Sequence, residues 1–298
     1  MTSVKGSGTF VSEDNPQKTI NIGVILPSVM EDIFPRFIFG IEQYASSHNI
    51  NIVLFSSDQS PDRQRNNVQR AIEMRVDGCI IIPTLNSEQS YDTFRKLRDK
   101  KIPFVLCYRS VDGLDVPFVG VNNCYGAYIA TRHLMECGCG KLSYFSDKKY
   151  SVALERYYGY ETAILENVGK VKRGEVILGN YGEEELREEI RKIFRSDDCP
   201  DGVLCFDDNT AASLCAVLIE KGLKPGEDVR IVGNNNSDLC NKLIVPLSSV
   251  SSRSSTMGKE AVKLLMRELN GEECEMPLSL LYPELYVRES SIGKQAGM

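Results

Sequence analysis

Arg75-Val76-Asp77-Gly78-Cys79-Ile80-Ile81-Ile82-Pro83 closes a helix, turns, and runs into a wholly apolar strand that stops at a proline. The stretch before it, Pro61 to Val76, is charged, yet Val68, Ile72 and Val76 fall on one helical face. The strand, Gly78 to Ile82, shows no polar alternation, so both of its faces are expected to be buried. An amphipathic helix feeding such a strand is the unit from which parallel sheets covered on both sides are built.

The same unit repeats in both directions. Upstream, Ile20 to Leu26 is an apolar strand. Phe34 to His48 is a helix with Phe37, Ile38, Ile41, Tyr44 and Ala45 on one face, and Ile50 to Phe55 is a strand. Downstream come a helix over Tyr91 to Lys100 and strands over Phe104 to Cys107 and Val116 to Val121. The cycle then restarts. Helices over Tyr125–Cys137, Arg156–Asn167, Glu183–Phe194 and Asn209–Lys221 alternate with strands over Lys141–Phe145, Glu175–Leu178, Gly202–Phe206 and Arg230–Gly233. A long helix, Ser254 to Leu269, and a strand, Leu285 to Val287, end the pattern. The strands fall into two sets, before and after about Val121. Two doubly wound α/β lobes fit them better than one very wide sheet.

Composition narrows the function classes. The 298 residues are 42% hydrophobic and 26% charged, an ordinary globular mix. No apolar run approaches membrane-spanning length, and the N-terminus lacks a basic segment followed by an apolar one, so a cytoplasmic protein is expected. A net charge of −6 argues against a chain that grips nucleic acid by itself. The ten cysteines sit mostly singly in apolar runs (Cys79, Cys107, Cys205, Cys215), as small reduced hydrophobes do. With only His48 and His133 besides them, no metal site is expected and no cofactor is implied. Gly-x-Ser-x-Gly, a Walker-type phosphate loop and a dinucleotide fingerprint after the first strand are all missing, so no enzyme is read.

In doubly wound folds ligands bind beyond the carboxyl ends of the strands. That rule selects the loops at Pro27–Phe34, Ser56–Asp58, Pro83-Thr84, Tyr108-Arg109, Ser146–Arg156, Asp207-Asp208, Asn234–Asp238 and Val250–Arg253. Tyr108, Arg109, Arg156, Asp207, Asn235 and Ser252 follow or nearly follow strand ends. A mixture of carboxylate, amide and guanidinium groups suits a polyhydroxylated ligand, whose every hydroxyl both donates and accepts. Ile33 and Phe34 offer an apolar wall, and Asp58, Thr84 and Asn122 complete the expected binding set. A plainer reading stands beside this one. Asp207 or, more readily, Asp208 caps the helix after it, and Asn234-Asn235-Asn236 is a turn.

Several segments, in order along the chain, resemble the effector domain of the lactose-repressor/galactose-repressor (LacI/GalR) family. Ile22-Gly23-Val24-Ile25-Leu26-Pro27 resembles its first strand, and Arg75 to Pro83 its "V-D-G-i-I-l-x-P" segment. Lys101-Ile102-Pro103-Phe104-Val105-Leu106 resembles a further strand. Val121-Asn122-Asn123 with Gly126-Ala127 resembles its crossover, and Asp228 to Gly233 and Pro246 to Val250 resemble its later signatures. The resemblance implies a type I periplasmic-binding-protein-like fold: two lobes joined by three crossovers, a ligand in the cleft, and a homodimer as working unit. It places Arg156 at the family's sugar-binding arginine. Tyr108 and Asn235 stand where aspartates are usual, Asp207 where an asparagine is, and Ser252 where a glutamine is. Cys137-Gly138-Cys139 falls on a turn of the family.

Lys5-Gly6-Ser7-Gly8-Thr9-Phe10-Val11 resembles something else, the closing wing of gluconate-repressor (GntR) winged-helix domains. The combination is similar to arabinose-repressor chimeras. The expected organisation is a winged-helix remnant over 1–14 with most of that DNA-reading domain absent, and a linker over 15–19. One lobe spans 20–121 plus 254–278, the other 122–253 plus 279–291, with a tail over 292–298. The expected function is sensing a small sugar, a pentose or deoxyhexose, to control operator DNA allosterically as a repressor does. A sugar-binding protein serving a transporter is the alternative that shares fold and cleft.

Overall fold

The structure is a computed structural model. It describes residues 2–3, 9–10, 19–30, 33–84, 90–111, 113–196, 198–272 and 278–293. The expected wing remnant and linker lie mostly outside these residues. Of the former, β1 (Thr2–Ser3) and β2 (Thr9–Phe10) are described, paired antiparallel with Thr2 opposite Phe10.

The first lobe follows as β3 (Ile20–Leu26), α1 (Ile33–Ala45), β4 (Ile50–Ser56), α2 (Pro61–Glu73), β5 (Gly78–Ile81), α3 (Ser90–Asp99), β6 (Phe104–Cys107) and β7 (Phe118–Val121). The second contains α4 (Asn123–Glu136), β8 (Lys141–Ser146), α5 (Ser151–Leu165), β9 (Lys172–Leu178), α6 (Glu183–Ile193), β10 (Gly202–Cys205), α7 (Asp208–Glu220), β11 (Arg230–Asn235) and β12 (Ser248–Ser251). The chain then returns to the first lobe with α8 (Ser254–Leu269) and β13 (Leu278–Leu281). It ends in the second with β14 (Leu285–Tyr286) and α9 (Glu289–Ile292).

Each lobe holds a six-stranded sheet. The first has the order β13-β7-β6-β5-β3-β4, parallel throughout; the second has β14-β12-β11-β10-β8-β9, parallel except for β14. The central strands β5, β6 and β10 are buried at every position, as their unbroken apolar runs require. The chain passes between lobes three times, after β7, after β12 and after β13. The last passage corrects the expected boundary. Leu278 to Leu281 pair with Phe118 to Val121, so the chain recrosses after Leu281 rather than after residue 278. β13 is an edge strand with alternating exposure and had no apolar run to announce it.

Glycine brings the covering helices close. A Cβ on Gly40 of α1 would stand 1.9 Å from the Ser255 carbonyl oxygen of α8, and one on Gly258 of α8 2.2 Å from that of Phe37. The two backbones therefore touch reciprocally, which welds α8 onto a lobe that the chain had left more than a hundred residues earlier.

Candidate functional site

The carboxyl ends of the two sheets face each other across a cavity of about 580 Å³, within the range of small-molecule sites. The first lobe lines it with Met30 after β3, Ile33 at the start of α1, Gln59 after β4, and Tyr108 and Arg109 after β6. The second supplies Asp147, Lys148 and Tyr150 after β8, Phe206, Asp207 and Asn209 around the end of β10, and Asn235 at the end of β11.

Two strained turns aim these side chains. Tyr108 has φ +64°, and its turn closes with the Arg109 N–H donating to the Cys107 carbonyl at 2.6 Å. A left-handed tyrosine is uncommon and has to be held by its surroundings. Here the turn throws Arg109 across the cleft, with its guanidinium 5.6 Å from the Tyr108 ring centre and 5.1 Å from that of Tyr150 in the other lobe. Asn235 (φ +99°) and Asn236 (φ +47°) form the second strained turn. Asparagine tolerates this region better than most residues.

Arg156, on α5, lies beneath the cavity floor. It is buried, packs 4.9 Å from the Phe206 ring centre, and donates to the carbonyl of Phe206, to Asn123 Oδ1 at 3.3 Å and to Asn235 Oδ1 at 3.5 Å. It therefore fixes two lining residues from behind. Tyr150 meets Phe206 edge-on at 5.6 Å, completing an aromatic corner.

Asp207 caps α7, accepting from the Thr210 N–H at 2.7 Å, and also lines the cavity. Part of its surface reaches cleft water, yet burial, with the Asp147 carboxylate nearby, pushes its carboxyl up to about 6. Asp147 is itself held by Lys148 at 2.6 Å and by the Thr210 hydroxyl at 3.3 Å. Asp208 points inward, accepting from the Ser249 hydroxyl at 2.6 Å and the Ser237 N–H at 2.8 Å. The cap is thus Asp207, not the more readily expected Asp208. Nor does the helix N-terminus prevent a raised carboxyl, because desolvation outweighs the helix dipole there.

With this geometry in place, residues 131–291 match the family model described as a periplasmic binding protein-like domain. The chain belongs to the periplasmic-binding-protein-like domain family. Among curated relatives, this family member is 25% identical over 273 residues to the HTH-type transcriptional repressor PurR of Histophilus somni, covering 91% of the chain and 81% of that protein. It is 25% identical over 304 residues to the arabinose metabolism transcriptional repressor of Halalkalibacterium halodurans, covering 96% and 81%. In structure it resembles the transcription regulator CcpA of Lactococcus lactis, with TM-score 0.81 and 24% identity over 92% of this chain and all of that one. The relatives are transcriptional regulators, and the two-lobed parallel-sheet fold is theirs.

Of the residues expected from sequence, the cleft of this periplasmic-binding-protein-like domain brings Ile33, Tyr108, Arg109, Asp207 and Asn235 together, with Arg156 directly behind. The others stand off. Phe34 is fully buried in the first-lobe core, one helix position round from Ile33. Asp58 is exposed and pairs with Arg63 at 2.9 Å. Thr84 is buried, its N–H donating to Gln64. Asn122 caps α4, and Ser252 is buried against Ser254 at 2.6 Å. Met30, Gln59, Asp147, Lys148, Tyr150, Phe206 and Asn209 line the cavity without having been singled out. All but Asn209 lie in or beside the strand-end loops, so the topological rule found their place if not their direction.

The remaining sequence features are structural. Cys137-Gly138-Cys139 is a turn around Gly138 at φ +90°. His133 bonds Ser291 at 2.7 Å, and His48 stacks on Tyr44 at 3.9 Å. Among the described residues no cluster of three or more His, Cys, Asp or Glu is arranged to hold a metal ion. No helix among them is long and apolar enough to cross a membrane.

Proposed function

We propose that this protein is the effector-sensing part of a bacterial transcription regulator and binds a small sugar in the interlobe cleft. The observation that carries this is the cavity itself. It is walled by aromatic and aliphatic side chains, and amide, carboxylate and guanidinium groups from both lobes converge on it. Such a mixture suits a ring with apolar faces and hydroxylated edges. Because the ligand touches both lobes, it favours their closed arrangement and shifts the population toward it. Bound operator and bound ligand then alter each other's affinity by one common factor. The role proposed for the cleft is binding without catalysis.

Operator DNA is read, on this proposal, by a winged helix of which residues 1–14 form the closing wing, with 15–19 as linker and a homodimer as the working unit in the cytoplasm. Two observations support the wing. β1 and β2 pair as an antiparallel ribbon, as wing strands do. The arabinose repressor match covers 96% of the chain, which leaves only about 12 of the 298 residues outside it. It therefore reaches into the first 18 residues. That relative also favours a pentose, or the closely similar deoxyhexose, as the parent sugar.

A thermal-shift screen of monosaccharides, disaccharides, sugar acids, sugar phosphates and nucleosides tests the reading. A saturable rise in melting temperature is expected with one sugar type and is expected to vanish in Asn235→Ala. A response to nucleosides alone would overturn the sugar assignment.

A further inference from the structure

Among the described residues that line the cleft, one cation has no ion-pair partner. Lys148 is neutralised by Asp147 at 2.6 Å. At the rim, Arg63 pairs with Asp58, Arg36 with Asp238 and Arg253 with Glu284. Arg156 has three oxygen acceptors and lies within the field of Asp207. Arg109 is different. It is 7% exposed and lines the cavity, yet it forms no ion pair among the described residues. Its Nη1 donates to the Pro83 carbonyl at 2.7 Å, and its buried Nε has no partner. Two tyrosine rings are its other neighbours.

A buried guanidinium without a carboxylate is expensive unless something else supplies the negative charge. Cation–π contacts with Tyr108 and Tyr150 offset part of that cost, but they leave Nε–H unsatisfied. Its chain neighbour Tyr108 offers it a ring face at 5.6 Å and no carboxylate. We infer that the missing carboxylate belongs to the ligand: the cleft is built for a sugar acid, an aldonate or uronate whose carboxylate meets Arg109 while its hydroxyls face Asp207 and Asn235. This inference rests on the sugar-sensing reading of the cleft and specifies the functional group on that sugar.

The count of charges selects a carboxylate over a phosphate. Among the described lining residues Lys148 is paired with Asp147, and Asp207 caps α7, which leaves the Arg109 guanidinium as a cation with no carboxylate against it. A carboxylate carries one negative charge and matches it. A phosphate monoester carries about −1.5 to −2 near neutral pH, and its excess would meet the Asp207 carboxylate. The planar fork of arginine, steadied between two rings, also suits two-point contact with a flat carboxylate.

Titration calorimetry on the full chain tests this with matched sets built on glucose, galactose, arabinose and xylose: the neutral sugar, its aldonate, the uronate where one exists, and the sugar phosphate. One carboxylate should bind at least about 10-fold more tightly than its neutral parent, an advantage that shrinks with added salt. Arg109→Gln should erase that advantage, so that the acid and its neutral parent then bind within about 3-fold of each other. Arg109→Lys keeps the charge without the fork. It should retain part of the preference, which guards against a Gln variant that merely misfolds. A neutral sugar that binds as tightly as its acid would overturn the carboxylate assignment while the sugar-sensing cleft stood. So would a tighter phosphate, or undiminished acid binding by Arg109→Gln. Silence across all the sets at millimolar concentration would sink both.

Discussion

At matching positions, the carboxyl ends of their strands, the two lobes offer a ligand quite different surfaces. Among the described residues, the first presents Met30, Ile33, Gln59 and Tyr108, with Arg109 as its only charge; the second presents Asp147, Lys148, Asp207, Asn209 and Asn235 around an aromatic corner. The second set is also the more tightly braced. Arg156 ties Phe206 to Asn235, Asn234 donates to the Cys205 carbonyl at 2.7 Å, and Asp208 holds Ser237 and Ser249. Polar groups whose partners are already in place need little reordering when a ligand arrives. The division suggests that the second lobe reads hydroxyls from a fixed frame, while the first closes over the sugar face and contributes the one unbalanced charge.

Removing Arg156 should break that contrast most severely. Arg156→Ala strands the Phe206 carbonyl and the amides of Asn123 and Asn235 at a buried site. A loss of about 3 kcal/mol is expected by urea unfolding, together with loss of ligand binding. Native-state hydrogen exchange should locate the damage in β10 and β11 and spare β3 to β6. Equal loosening of both lobes would show that the bracing is global and that the two frames are not independent.

Asp207 gives a smaller, pH-dependent effect confined to the second lobe. Its native carboxyl titrates near 6 against an ordinary value of 3.8, so between those values the native state holds a proton that the unfolded chain has lost. Stability from this group is therefore present below about pH 4 and is lost as pH rises through about 6. Asparagine caps a helix as well as aspartate does and does not ionise. Asp207→Asn should therefore be more stable than the parent protein at pH 8, the gap narrowing toward pH 4 in parallel denaturant titrations. A gap independent of pH would mean that Asp207 ionises as it does in water.

How much of this was legible in the sequence follows the same division. The doubly wound lobes were readable because unbroken runs such as Gly78 to Ile82 can only be strands buried on both faces. The loops were readable because topology alone dictates where a cleft lies. Direction within a loop was not. Ile33 and Phe34 are neighbours, yet the start of α1 points one into the cleft and the other into the core. Phe206 follows four buried strand residues and reads as a fifth core position, although it forms the cavity's aromatic corner. Asp58 carries a suitable side chain on a suitable loop, but Arg63 of α2 engages it from the other side, and Thr84 is buried with its N–H held by Gln64 of α2. Such choices depend on packing between distant segments, which spacing along the chain does not encode.

The smallest effect should come from a contact that ties the two lobes together at the cleft rim. Arg36 on α1 donates to the Asn236 carbonyl at 2.7 Å and pairs with Asp238 at 2.5 Å, so a first-lobe helix grips the second strained turn beside Asn235. Both charged side chains are well exposed, so the pair contributes little to global stability, within about 0.5–1 kcal/mol. Its leverage is on the lobes' relative position, because it joins a helix of one lobe to a turn of the other. Arg36→Ala should leave the denaturant midpoint nearly unchanged while weakening ligand affinity about 2- to 5-fold, since the ligand must then close the lobes without this bridge. Small-angle scattering of the ligand-free variant should show a larger radius of gyration than the parent protein, and the two should converge on saturation. An unchanged affinity with an unchanged radius would mean that the lobes close through the cavity walls alone. The difference between the two rims would then be the whole of what the ligand senses.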